Sequence, residues 1–219
     1  TVTITDTTEY AGGSSVPVSA NADPLDNIPE TNETNNVFQT TITVYNNGYK
    51  GKQYTDDDDI DDMGSNATFS GNYELIYSSG DSSYLSGSSW TTSTVTWTNT
   101  DLTIPAGSTI VQARLYQPYT WSYVTGVPDF TAAFNGNILN YIGYYSDTKG
   151  FGSSNYPSGL LVYDVTSLFS ADGNILTLTK GINTTSLYGA YLLVIYENSA
   201  STYKTIYIND GCDMLCSRE

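Results

Sequence analysis

Short runs of alternating apolar and polar residues recur along the chain, separated by turns rich in Gly, Asn and Pro. Alternation with period two sends successive side chains to opposite faces of an extended strand. It predicts strands at residues 2–5, 16–20, 37–45, 73–77, 90–98, 109–116, 129–134, 138–145, 159–165, 174–180, 186–196 and 203–209. Within 109–116 one face holds Ile110, Gln112, Arg114 and Tyr116, and the other Val111, Ala113 and Leu115. Trp90 and Trp97 are an odd number of positions apart, so one ideal strand would point them to opposite faces; a bulge or two-sided burial is needed. Phe134-Asn-Gly-Asn137 reads as a compact hairpin, and residues 165–170 as one helical turn capped by Asp164. Strands at this spacing, joined by polar turns, predict an all-β, two-sheet β-sandwich of jelly-roll or Ig-like kind.

Composition agrees. Thr, Ser, Asn and Tyr supply 94 of 219 residues, which favours pleated strands and turns over helices. A second composition begins at Asn46-Asn-Gly48, dividing the chain into a strand segment (1–45) and a sandwich (46–219). Between the second and third strands, Pro24 and Pro29 exclude a central strand and the Asn and Asp content fits a loop. With no His, Ser–His and Cys–His catalysis and His-ligated zinc are excluded. A net charge of −16 opposes binding to nucleic acid and to anionic lipid. No apolar run reaches the roughly 20 residues of a membrane helix, so no membrane insertion is expected.

The densest chemistry is the run Asp56, Asp57, Asp58, Asp59, Asp61 and Asp62. Carboxylates so close repel one another, and a divalent cation would relieve that repulsion; hard oxygen ligands select Ca²⁺. The EF-hand pattern is absent, and the alternative is a solvated charge run. Asp23, Asp26, Glu30 and Glu33 form a weaker group that fits an Asx-rich turn. Cys212 and Cys216 would be roughly 13 Å apart along a strand, too far to bridge. A turn after Gly211 brings them within disulfide reach in an oxidising compartment, the alternative being two partly buried thiols. Asn32, Asn66 and Asn183 open N-glycosylation sequons in predicted loops. Most aromatic residues belong to sheet packing, but Tyr116, Tyr119, Trp121 and Tyr123, where a strand gives way to a loop, form a candidate sugar-stacking platform. Among Asp129, Asp147, Asp164 and Glu197 nothing singles out a catalytic pair. Lys180 and Lys204 lie at strand positions where exposure is favoured over an isopeptide bond.

Two resemblances add to this. Ile28-Pro-Glu-Thr-Asn-Glu-Thr-Asn-Asn36, followed by a strand, resembles the end of a CARDB module, an Ig-like adhesion-related repeat. Over residues 47–215 the chain is similar to a domain of unknown function found in secreted surface proteins of methanogenic archaea, often beside CARDB repeats. That similarity is carried by Asn47-Gly-Tyr-Lys-Gly-Lys52, Tyr77-Ser-Ser-Gly-Asp81, Arg114-Leu-Tyr116, Tyr119-Thr-Trp121, Phe134-Asn-Gly136, Asn155-Tyr-Pro-Ser-Gly159, Tyr163-Asp-Val-Thr166, Val194-Ile-Tyr-Glu197 and Gly211-Cys-Asp-Met-Leu215. The resemblance implies a cell-envelope setting and a sandwich, and supplies no catalytic residue. The expected function is that of a non-catalytic extracellular subunit of an archaeal surface filament, sheath or lattice. Strands bearing Val2, Ile4, Val37, Phe38, Ile42 and Val44 would complete a sheet of another copy or of another envelope protein. The rival expectation is a glycan-binding or adhesion module using the 116–123 aromatics.

Overall fold

The computed structural model describes residues 15–22, 25, 27–29, 31–32, 34–43, 64–148, 153–212 and 214. Its strands are β1 (Ser15–Asn21), β2 (Val37–Thr43), β3 (Gly64–Gly71), β4 (Tyr73–Ser78), β5 (Thr92–Thr98), β6 (Thr109–Thr120) and β7 (Phe130–Phe134). They continue with β8 (Asn137–Ile138), β9 (Gly143–Asp147), β10 (Ser158–Asp164), β11 (Gly173–Lys180), β12 (Ser186–Leu187), β13 (Tyr191–Glu197) and β14 (Lys204–Asp210). The one helical element among the described residues is a 3-10 turn, Thr166–Leu168, after β10. Asp164 stabilises it, its Oδ1 accepting the Thr166 backbone N–H at 2.9 Å and hydroxyl at 2.6 Å.

Two antiparallel sheets face each other. One has six strands in the order β4-β13-β6-β10-β9, with β12 also on β6; the other has four, β5-β11-β7-β8. Their facing sides share one core: Ala113, Leu115, Leu161, Leu192 and Val194 from the first sheet, Val95, Trp97, Phe134, Leu176 and Leu178 from the second. The outer side of the four-stranded sheet accounts for much of the Thr content. Thr92 and Thr94 of β5 stand opposite Thr179 and Thr177 of β11, and Thr131 of β7 continues the row. Such cross-strand pairs hold a pleated surface that water can wet.

The six-stranded sheet is covered on both sides, which is why residues 113–117 of β6 are all buried. Tyr116, Tyr145, Leu160 and Val162 form a second cluster on its outer side, joined by Tyr191, Leu193 and Cys212. A ribbon of β3 and β14 is tied to this sheet by Lys204 Nζ to Glu74 Oε1 and Arg114 Nη1 to Asp210 Oδ2, each 2.7 Å.

Several expectations change in the structure. Ile110 packs with the inner core, while Gln112, Arg114 and Tyr116 take the opposite side, because a bulge opposite Ile195 and Tyr196 inserts Val111 as an extra residue. Trp90 precedes β5 instead of lying on it, so both indoles reach the same core. Their Nε1 groups donate to the Thr185 and Ser78 carbonyls, each at 2.9 Å. The single strands expected at 138–145 and 186–196 are each broken in two. In the second, Gly189 and Ala190 turn so that the Ala190 carbonyl accepts the Ser82 hydroxyl at 2.9 Å. β3 is absent from the strands that alternation predicts, because only Ala67 and Phe69 of its eight residues are apolar.

Gly159 is where β10 passes closest to its neighbours. A Cβ there would collide with the Tyr145 carbonyl oxygen and sit 2.6 Å from the Tyr119 hydroxyl. Neither the backbone nor the buried ring can retreat cheaply, so Gly159→Ala is expected to lower stability by about 2–3 kcal/mol, read as a lower urea midpoint with an unchanged slope.

Candidate functional site

The β1–β2 hairpin is the first unusual surface. β1 and β2 pair with each other and with no other described strand. Their register sets Val16, Val18 and Ala20 opposite Ile42, Thr40 and Phe38. Directly opposed residues share a face, so one side is nearly all apolar. The other carries Ser15, Pro17, Ser19 and Asn21 against Thr43, Thr41, Gln39 and Val37. No residue of either strand is buried: Phe38 is 64% exposed, Ile42 56% and Val18 38%. In the loop between the strands, Asn32 Oδ1 accepts the Thr34 backbone N–H at 3.0 Å and hydroxyl at 2.6 Å.

A second surface lies beyond the end of β6. Trp121 follows Thr120 with φ 51°. Ser122 is buried and donates its N–H to the Pro157 carbonyl at 3.2 Å, and Tyr123 donates to the Thr184 carbonyl at 2.9 Å. Two neighbouring segments therefore fix the backbone on either side of the rings. Tyr123 stacks on Tyr156 at 4.4 Å and 15°, and Trp121 tilts against the same ring at 5.4 Å and 38°. Trp121 is 49% and Tyr123 53% exposed. The Tyr123 hydroxyl is held above its ordinary pKa, first by its hydrogen bond with Tyr156 and then by that group's charge.

Tyr116 and Tyr119 do not belong to this surface. The expected platform of Tyr116, Tyr119, Trp121 and Tyr123 is corrected because β6 runs on to Thr120, keeping both earlier rings inside. Tyr116 stacks on Tyr191 at 4.7 Å and donates its hydroxyl to Asp210 Oδ1 at 2.8 Å. Tyr156 was missed: it comes from a distant loop, and no spacing in the sequence links it to Trp121.

The remaining candidates are dispersed. Asp129 Oδ2 accepts both the backbone N–H and Nδ2 of Asn183, each at 2.9 Å. These bonds hold the Asp129 carboxyl below its usual pKa. Asp129 and Asn183 line a cavity of about 450 Å³ with Val127, Phe130 and Lys180. Asp147 is buried and accepts the backbone N–H groups of Thr148 and Met214 at 2.6 and 2.8 Å. Asp164 serves the 3-10 turn, and Glu197 is exposed at the end of β13. Lys180 Nζ donates to the Gly87 carbonyl at 3.2 Å and lies over the Trp90 ring. Asn66, expected in a loop, falls inside β3 as the unpaired residue of its bulge. Asp56, Asp57, Asp58, Asp59, Asp61 and Asp62 lie outside the described residues, as do Val2, Ile4, Val44, Asp23, Asp26, Glu30, Glu33 and Cys216. Among the described residues no three His, Cys, Asp or Glu side chains gather as a metal cage.

The fold and these surfaces define an antiparallel β-sandwich preceded by an amphipathic hairpin. Residues 48–219 match the family described as proteins of unknown function, DUF3344, and the chain belongs to that family. The match begins after β2. No curated protein matches the chain. No helix among the described residues is long and apolar enough to cross a membrane.

Proposed function

We propose that this chain is a non-catalytic structural subunit of an extracellular filament, sheath or lattice on an archaeal cell surface. Its hairpin docks on a neighbouring copy. The observation that carries this reading is the apolar side of the hairpin, where Val16, Val18, Phe38 and Ile42 have no described layer above them. A two-stranded ribbon is marginal in water; a third strand or a packed face is what makes such an element stable. The open edges of β1 and β2 offer ladder hydrogen bonds, and the apolar side offers buried area. A contact between the hairpin of one copy and a different surface of the next is head-to-tail and need not close, so it extends into a polymer. The CARDB-like ending at 28–36 and the resemblance to archaeal surface proteins support the setting. In this reading Ca²⁺ held by Asp56–Asp62 bridges acidic surfaces, and the sequons at Asn32, Asn66 and Asn183 carry glycans.

The test replaces two apolar residues on the open side with charge. The double variant Phe38→Asp, Ile42→Asp should raise the concentration needed for assembly by about a hundredfold or more, at roughly 1.5 kcal/mol per side chain. Sedimentation and electron micrographs of the full chain read the assembly, and thermal unfolding confirms an unchanged sandwich. Polymers that persist in the double variant at the wild-type concentration would remove the hairpin from the mechanism.

A further inference from the structure

From the surface formed by Trp121, Tyr123 and Tyr156 we infer a binding site for a neutral glycan, in which the rings take the C–H face of a pyranose. This inference is independent of the hairpin and of assembly. Three observations converge on it. The first is exposure: Trp121 and Tyr123, which a sandwich would ordinarily pack, keep about half their surface open, with Tyr156 stacked behind Tyr123.

The second is backbone conformation. Among the described residues three non-glycine positions have positive φ: Trp121 at 51°, Asn135 at 49° and Ser154 at 57°. Asn135 is explained by the tight turn between β7 and β8, where Asn-Gly is the favoured pair. The other two flank the ring cluster, one in each of the segments that build it. A bulky residue in the left-handed region is unfavourable and persists where its surroundings impose it; such positions concentrate at ligand sites. Here the imposing contacts are the Ser122 and Tyr123 backbone hydrogen bonds to Pro157 and Thr184.

The third is charge. The chain has 23 acidic residues, yet 118–127, 153–159 and 183–188, which meet at this end of β6, contain no Asp, Glu, Lys or Arg. The available groups are ring faces, phenol and Ser or Thr hydroxyls, amides and backbone. Neutral sugars require that combination, an apolar C–H face to stack and hydroxyls to hydrogen-bond. In these three segments a phosphate or charged peptide finds no counter-charge among the described residues, and a uronic acid is repelled by a net charge of −16.

The experiment titrates the full chain with cellotetraose, chitotetraose and mannotetraose as neutral probes and with tetragalacturonate as the anionic one. Tryptophan fluorescence and saturation-transfer NMR are the readouts. At least one neutral probe should saturate, tetragalacturonate should not, and Trp121→Ala and Tyr123→Ala should each weaken binding by about tenfold or more. Tyr203→Ala removes a more exposed ring just before β14 and should leave affinity unchanged. Because Tyr123 is an exposed side chain, its variant remains informative even if Trp121→Ala perturbs folding. The site is overturned if no neutral probe saturates, if tetragalacturonate binds equally well, or if binding survives Tyr123→Ala at full strength.

Discussion

Asp210→Ala is expected to destabilise the sandwich by about 3–5 kcal/mol, the usual cost of stripping one partner from a buried ion pair. The Asp210 side chain is 4% exposed and that of Arg114 6%. Asp210 Oδ2 accepts Arg114 Nη1 at 2.7 Å, and its Oδ1 accepts the Tyr116 hydroxyl at 2.8 Å. Among the described residues Arg114 Nε has no hydrogen-bond partner of its own. Removing the carboxylate therefore leaves a guanidinium and a phenol buried with no acceptor, and each unsatisfied group adds its desolvation cost. The pair also fastens β14 to β6, so its loss loosens the outer ribbon. The triple variant Arg114→Met, Tyr116→Phe, Asp210→Leu removes every member of the network and should recover most of the stability. Urea unfolding of both variants decides the matter. A loss below about 1 kcal/mol in Asp210→Ala would mean that water reaches the pair.

The second large effect is alkaline unfolding. Burial, and then the charge of Asp210, push the Tyr191 phenol from 10.0 up to about 12. Burial raises Tyr116, Tyr119 and Tyr163 further still. These are acids whose folded-state values lie above the unfolded one. Well below pH 10 both states hold the phenol protons, and these four groups add no pH dependence. Between pH 10 and the folded-state values only the unfolded chain ionises, so stability falls as pH rises. Tyr191 alone accounts for about 3 kcal/mol by the time the pH passes its folded value. With three more buried phenols pulling the same way, the sandwich should unfold cooperatively a little above pH 11. The absorbance of the buried tyrosinates should appear in the same step as the loss of β circular dichroism. Tyr163→Phe removes one of these ionisations and should move the transition to higher pH. Tyrosinate absorbance that rises fully before the sheets melt would show these rings to be open to solvent.

The strands that alternate against a single apolar core were readable in advance, because period two maps directly onto inside and outside. β7, β11 and the turn at Asn135-Gly136 follow from that rule. β6 did not follow it as fully. Its outer side is covered by the C-terminal segment, so Arg114 and Tyr116 are buried where alternation in a one-sided sheet would expose them. A bulge at Val111 also resets the faces, and nothing in the residue pattern marks it. β3 carries too few apolar residues to announce itself and is held by its pairing with β14. The ring cluster was half readable: Trp121 and Tyr123 stand together in the chain, while Tyr156 arrives through topology. The hairpin's amphipathic character needed the register, since only the pairing of Val18 with Thr40 and Ala20 with Phe38 shows which residues share a side.

The way β3 closes on β14 has a consequence for how the chain comes into being. Residues 64–71 find their partners at 204–210, β4 waits for β13, and β5 waits for β11. β5 has its ladder once the chain reaches residue 180, but β3 and β4 stay without theirs until residues 191–210 have left the ribosome. Sheets knit from such remote segments form slowly, because the loop entropy is lost before the contacts arrive. The outer ladders of the sandwich therefore close last, and until β13 and β14 emerge the edges of β3 and β4 are open to wrong partners.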